Sequence, residues 1–366
     1  MVEFPSCVVS VEAHPSKPGL TAVGTFNGVV FLVDTAQASG MEVVFSSPQD
    51  GKCHTEPIAQ LKWLVHSDVH RRESYQLVSV GGDGKVLVWD YSTARSGSML
   101  TLVARHLIKT ADVPGFGKRG RRAALDVELG LTSIAFSCEN NSTFVTGTDS
   151  GGVLKCALKS DSPRLVGGAT GIDLGESSPV MLPFAAHGGP VYSVASSPFH
   201  RNMFLTASTD GTVRLYSHLE TKPLLIVEPG GGYLFDVEWS ISRPMVFWVS
   251  ASDGRVLVYD LNVSRLKPVA VLETNTKGLP VFCTCRNEQR PRLLASGDGG
   301  GLIKIWNLSD ALSKVSDRRK VLAPNERTSS LATLWWEAGS GNWEAIKNTK
   351  KKQPPPSPSI FEGLLA

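Results

Sequence analysis

One thirteen-residue pattern recurs six times along the chain and leaves few folds open to it. The copies are TAVGTFNGVVFLV (Thr21 to Val33), LVSVGGDGKVLVW (Leu77 to Trp89), FVTGTDSGGVLKC (Phe144 to Cys156), FLTASTDGTVRLY (Phe204 to Tyr216), FWVSASDGRVLVY (Phe247 to Tyr259) and LASGDGGGLIKIW (Leu294 to Trp306). The eighth position is glycine throughout: Gly28, Gly84, Gly151, Gly211, Gly254 and Gly301. The tenth is β-branched throughout: Val30, Val86, Val153, Val213, Val256 and Ile303. Alternating β-branched residues on both sides of a glycine turn read as two antiparallel strands. Copies spaced 43 to 67 residues apart make a repeat array rather than a chance turn.

The fullest copy, His187 to Tyr216, shows the whole unit as strand, Ser-Pro loop, strand, Asp-Gly turn, strand. An outer strand is expected at Leu224 to Glu228, and at Met99 to Leu107 in the second copy. Four-stranded units repeated around an axis are propeller blades. The fold class is therefore all-β, a WD40-type β-propeller with six recognisable blades. Residues 1–312 form the propeller. Residues 313–366 form a C-terminal extension, largely disordered, with three lysines at Lys350 to Lys352 and a proline-rich stretch at Pro354 to Ser359. A short helix is expected within Ser309 to Asp317, and a long polar loop over His66 to Gln76. The stretch Leu331 to Trp343, with three tryptophans, fits no period.

Composition excludes more than it selects. At 366 residues and 42% hydrophobic content the chain can bury a sizeable core, and a net charge of +3 implies neither a nucleic-acid nor a membrane partner. No apolar run is long enough to span a bilayer, and Met1 to Ser10 does not read as a signal peptide. Six scattered cysteines point to free thiols in a reducing, cytoplasmic setting. The Asn-x-Ser/Thr matches at Asn141, Asn262 and Asn307 then carry no sugar.

Two blades share a polar set at fixed spacing. His54, Ser79, Asp83 and Trp89 in one match His187, Thr206, Asp210 and Tyr216 in the other, and Asp253 keeps the aspartate in the fifth blade. A His-Asp-Ser/Thr set invites a hydrolase reading. Recurrence at blade-defined positions favours a structural network tying an interblade loop to the turn and the strand beneath it. Neither an enzyme nor a cofactor is expected. The literal dinucleotide fingerprint at Gly115, Gly117 and Gly120 lies in a basic loop rather than between a strand and a helix. Cys283 and Cys285 point to one face of a strand without a second pair at zinc-like spacing, so buried thiols are expected, not a metal.

The phrases SSPFHRNMFLTASTDGTVRLYS (Ser196 to Ser217), DVEWSISRPMVFWVSASDGRVLVYDL (Asp236 to Leu261) and LLASGDGGGLIKIWNLS (Leu293 to Ser309) resemble the C-terminal propeller of WD-repeat dynein intermediate chains. With Val2 to Asp34, Gly151 to Leu158 and His187 to Val194 added, the resemblance is greatest to the cytoplasmic dynein 2 branch of that family, the motor of intraflagellar transport. It covers about residues 2 to 310. The resemblance implies a non-catalytic subunit whose propeller docks on the dynein heavy chain beside a second intermediate chain, at the cytoskeleton, in the cilium and at its base. It also implies seven blades and an N-terminal arm for light chains. This sequence shows neither the first of those blades nor the arm, so light chains are expected only if the full product carries the arm. The loop holding Phe199, His200 and Arg201 is expected to be either partner contact or packed corner. The competing class is a propeller adaptor in ubiquitin-ligase substrate recognition or RNA-protein assembly, in which Lys118, Arg119, Arg121 and Arg122 would matter.

Overall fold

The glycine column does what the pattern demands of it. In the computed structural model all six glycines lie in the left-handed region, with φ from +69° at Gly84 to +87° at Gly254. At Gly84 a side chain is excluded twice, since a Cβ would also stand 2.9 Å from the Ile108 carbonyl oxygen. The structure describes residues 3–36, 40–49, 51–67, 73–94, 97–113, 127–138, 140–158, 178–274 and 278–313. The basic loop Gly115 to Arg122, most of the 313–366 extension and its tryptophan- and proline-rich stretches lie outside the described residues.

Each glycine turn joins the second and third strands of an antiparallel sheet in which every strand pairs with its neighbour in sequence. Blade 1 is β1 (Val8–Ala13), β2 (Leu20–Thr25), β3 (Val30–Asp34) and β4 (Glu42–Ser46). Blade 2 is β5 (Ile58–Ser67), β6 (Glu73–Gly81), β7 (Lys85–Ala94) and β8 (Gly97–Leu107). Blade 3 is β9 (Leu131–Phe136), β10 (Thr143–Thr148), β11 (Val153–Ala157) and β12 (Val180–Pro183). Blade 4 is β13 (Val191–Ser196), β14 (Met203–Ser208), β15 (Val213–Ser217) and β16 (Glu220–Val227). Blade 5 is β17 (Leu234–Trp239), β18 (Val246–Ala251), β19 (Arg255–Asp260) and β20 (Ala270–Glu273). Blade 6 is β21 (Val281–Arg286), β22 (Leu293–Asp298) and β23 (Ile303–Asn307), three-stranded among the described residues. The propeller and its six blades are thus as the repeat predicts.

One expectation needs correction. The long loop over His66 to Gln76 is mostly strand: β5 and β6 pair out to Ser67 and Glu73, which leaves only 68–72 between them. The short helix expected within Ser309 to Asp317 is present as α1 (Asp310–Ser313).

The core lies between blades, where the face of one sheet meets the next. Ala22, Val30 and Leu32 of blade 1 pack with Ile58, Leu61, Leu77, Leu87 and Trp89 of blade 2. Val78, Val86 and Val88 meet Leu131, Ile134 and Phe144, and Trp248, Val256 and Val258 meet Val281 and Leu294. Blade 6 breaks the series. In the tenth column Val30, Val86, Val153, Val213 and Val256 are at most 1% exposed, whereas Ile303 is 73% exposed. Ile305 is 73% exposed where Leu32, Val88, Leu215 and Val258 are buried. Cys283 and Cys285 share this bare face and are exposed, against the expectation of buried thiols. The reason is the same for all four: each blade buries this face under the next blade, and none follows blade 6 among the described residues.

This contrast sets a prediction. Leu32→Ala should cost about 2–5 kcal/mol, the range for emptying a packed aliphatic site. Ile305→Ala, the same column in blade 6, should stay within about 0.5 kcal/mol of wild type. Urea unfolding of the two variants checks it, and equal losses would mean that the blade 6 face is covered in solution.

Candidate functional site

The polar set in blade 2 closes into a single chain of hydrogen bonds. Asp83 Oδ1 lies 2.9 Å from His54 Nδ1, which places the imidazole proton there, and Nε2 accepts from the Ser79 hydroxyl at 2.9 Å. Ser79 Oγ in turn accepts from the Trp89 indole N–H at 3.0 Å. The other oxygen of Asp83 takes the Thr55 amide at 2.9 Å and the Lys85 ammonium at 3.2 Å. His54, Ser79, Asp83, Lys85 and Trp89 are all buried, and Thr55 is exposed. Burial pushes the Asp83 carboxyl up, but its bonds to His54 and Thr55 and the charge of Lys85 outweigh that and hold it well below the usual range. The order Asp, His, Ser is that of a hydrolase, yet Ser79 has no solvent path and its oxygen is held by an indole. The arrangement ties the interblade loop at His54 to the turn at Asp83 and the strand at Ser79.

Blade 4 repeats the design with one change. His187 Nδ1 lies 3.0 Å from Asp210 Oδ2, and Nε2 accepts from the Thr206 hydroxyl at 2.7 Å. Tyr216 does not join Thr206. Its hydroxyl donates to the Ala185 carbonyl at 2.6 Å, reaching the same interblade loop through its backbone. Burial, reinforced by the Arg214 charge, lowers the His187 pKa to about 4 despite the attraction of Asp210. Burial raises the Asp210 pKa, but the Thr212 hydroxyl and the Gly188 amide prevail and bring it to about 2.

Where the histidine is missing, the turn is capped locally. Asp253 accepts from the Arg255 amide at 3.2 Å and pairs with its guanidinium. Gly231 lies where a side chain would strike Asp253, and Ser250 Oγ and Tyr259 OH are buried with no hydrogen-bond partner. Blade 6 keeps only the last link, Trp306 N–H to Ser296 Oγ at 2.9 Å. In blades 1 and 3 the Thr25 and Thr148 hydroxyls accept the amides of Val29 and Gly152, at 3.2 and 2.8 Å.

The loop with Phe199, His200 and Arg201 is one copy of a repeated corner. Ser197 Oγ accepts the Phe199 and His200 amides, both at 3.2 Å. Ser240 and Asn287 do the same for the second and third residues after them, and His14 Nδ1 does so for Ser16 and Lys17. His200 is buried, Phe199 half-buried and Arg201 exposed.

The sequence reading passed over the inner strands, where the blades are stitched together. Asp236 accepts from the Ser193 hydroxyl of blade 4 at 2.9 Å, and from the Thr284 amide and hydroxyl of blade 6 at 2.8 and 2.7 Å. Trp63 and Trp239 each donate an indole N–H to the preceding inner strand, at Glu12 O and Ala195 O. An aspartate inside an apolar strand was the available signal. Glu238, two residues on, has one buried carboxylate oxygen without a partner. Burial and the neighbouring Asp236 charge raise its pKa to about 7, against the pull of Arg286 and Lys62 and with a further push from Glu12. Among the described residues no group of His, Cys, Asp or Glu is placed to hold a metal ion, and no helix is long and apolar enough to cross a membrane.

Two pH experiments follow from these groups. His187 stays neutral in the folded protein down to about pH 4 but protonates near 6.5 when unfolded, so its contribution is present above 6.5 and lost as pH falls. His187→Gln should cost about 1–3 kcal/mol at pH 7.5 by leaving Asp210 and Thr206 short of a partner. Its gap to wild type should narrow by about 1 kcal/mol per pH unit between 6.5 and 4. Glu238 runs the other way. Its folded pKa of about 7 exceeds the ordinary 4.5, so stability is full at low pH and is lost as pH rises through 7. Glu238→Gln should therefore gain on wild type by up to about 3 kcal/mol from pH 4.5 to 7.5. Urea midpoints across that range, with flat differences, would refute either assignment.

Comparison with known proteins agrees with the repeat. Residues 127–308 match the family described as the dynein axonemal intermediate chain 3 WD40 domain. Cytoplasmic dynein 2 intermediate chain 2 of Mus musculus is 37% identical over 318 residues, 87% of this chain and 58% of that protein. The Homo sapiens counterpart is 35% identical over the same shares. Dynein axonemal intermediate chain 4 of Homo sapiens is 25% identical over 308 residues, 84% of this chain and 34% of that protein. The chain thus spans somewhat over half the length of the dynein 2 relatives it matches. With its glycine-turn blades and these matches together, the chain is similar to WD-repeat dynein intermediate chains over most of its length.

Proposed function

We propose that this chain is a non-catalytic intermediate chain of the cytoplasmic dynein 2 motor, its propeller a platform for the dynein heavy chain in retrograde intraflagellar transport and cilium assembly. The observation that carries the reading is identity of 35–37% with cytoplasmic dynein 2 intermediate chain 2, against 25% with the human axonemal chain 4. The buried, indole-capped network supports the non-catalytic part, since Ser79 cannot meet a substrate. On this reading the protein works by surface recognition, with strands holding the disc and loops carrying specificity. Its partners are the heavy chain and a second intermediate chain, with light chains joining only where the full product carries an N-terminal arm. It resides in the cytoplasm, on the cytoskeleton, and in the cilium and at its base. Of the Phe199–His200–Arg201 corner, the exposed Arg201 and half-buried Phe199 are the side chains that would meet a partner.

The test is affinity purification of the tagged full chain from ciliated cells, with mass spectrometry of what stays bound. The expected outcome is recovery of the dynein 2 heavy chain. A ubiquitin-ligase or RNA-protein complex with no dynein subunit would overturn the reading.

A further inference from the structure

Pairing of the inner strand skips one residue at the same place in every blade. The skipped residues are Val9, Ala59, Thr132, Tyr192, Phe235 and Phe282. This shared bulge aligns the six inner strands residue by residue. Just before it stand Val8, Ile58, Leu131, Val191, Leu234 and Val281. Blades 2 to 6 bury this column to at most 1% exposure, whereas Val8 is 44% exposed. Three residues on stand Val11, Leu61, Ile134, Val194, Val237 and Thr284. Blades 2 to 6 bury this column too, and Val11 is 57% exposed. Blade 1 is therefore bare on the side that turns away from blade 2.

That bareness mirrors blade 6, where Ile303 and Ile305 lie in water. The two sets are the two halves of one kind of junction. Val30 and Leu32 pack with Ile58 and Leu61, and Val86 and Val88 with Leu131 and Ile134. Val153 packs with Val191 and Val194, and Val256 and Val258 with Val281. Blade 6 thus holds a first half without a second, and blade 1 a second half without a first. Both halves are uncharged where they are bare. On blade 6, Ile305 stands opposite Ala295 and Cys285, and Ile303 opposite Gly297 and Cys283. On blade 1, Val11 stands opposite Val23 and Phe31, and Phe4 rests on Phe31 with ring centroids 5.2 Å apart. The inner strand of that face stays open.

We propose that the two halves meet between copies of this chain, blade 6 of one laying Ile303 and Ile305 on Val8 and Val11 of the next. The junctions inside the chain select the occupant. Four of them cover the Ile303 column with the inner strand of another blade, and among the described residues only blade 1 offers such a strand uncovered. A like-to-like contact would set Ile305 against Ile305, a pairing that none of those junctions uses. The contact is heterologous, so it runs on from copy to copy unless the rotation closes a ring. In dilute solution the copies separate and both halves are bare, the state in which Ile305→Ala is near neutral. The proposal does not depend on the intermediate-chain reading.

Sedimentation of the full chain tests it. Wild type should form dimers and longer species as concentration rises through the micromolar range. Ile305→Asp and Val11→Asp should each weaken association at least about tenfold. Their thermal midpoints should match wild type, because both side chains are exposed. Mixing the two variants is the decisive step. One keeps the blade 1 half and the other the blade 6 half, so the mixture should stop at a one-to-one dimer. A wild-type chain that stays monomeric at every concentration overturns the proposal. Self-association of either variant at wild-type strength also overturns it, since that marks a like-to-like contact or a different surface. So does a mixture of folded variants, by their midpoints, that forms no dimer.

Discussion

The apolar face that each blade lays on the next is the interaction on which the other features of this propeller depend. A single antiparallel sheet of three or four strands has two sides to cover and can cover neither alone. Here the tenth and twelfth residues of the repeat supply one side, and the first three strands of the following blade supply the other. Val30 and Leu32 under Trp89, Leu77 and Ile58 show the pairing. The same side chains in blade 6, Ile303 and Ile305, lie in water because only the following blade could bury them. Burial in this fold is thus a property of junctions, and an identical sequence position can be core or surface depending on its neighbour.

Apolar contact between sheets is non-directional, so something else must set how far each blade turns against the next. The polar groups do this. His54 and His187 reach from an interblade loop to the turn and strand of the blade that follows, and Asp236 holds serine and threonine hydroxyls from the blades on either side. Because these groups are buried, their bonds are strong when made and expensive when broken. Blade 5 shows that the full network is optional. Without a histidine it leaves Ser250 and Tyr259 unpaired and relies on Asp253 with Arg255 for its turn.

How much of this was legible follows from what a linear pattern can encode. The glycine column fixed the turns and the number of blades, because a positive φ is a property of one residue. The His, Asp and Ser or Thr of blades 2 and 4 were legible because their spacing repeats. Tyr216 holds the column of Trp89, but a hydroxyl at the end of a phenol ring reaches farther than an indole N–H and bonds the Ala185 carbonyl, which column matching does not reveal. Cys283 and Cys285 were expected to be buried from their alternation. That inference assumed a neighbour on the sheet, which no alternation can report. For the stitching by Asp236 the pattern offers only an aspartate in an apolar strand and not its partners, which lie 43 and 48 residues away on different blades.

Repetition also separates what the fold needs from what it does not. A position kept in every blade, such as the turn glycine, belongs to the architecture. A position where every blade has the same geometry but only some have a costly side chain carries information of another kind. The bulge column meets that description. Valine, alanine and threonine suffice in half the ring, so exposing Tyr192 and Phe282 to water in the other half is a penalty that the propeller itself never recovers. The asymmetry of the repeat therefore sets blades 4 to 6 apart from blades 1 to 3 at a position whose backbone is the same in all six.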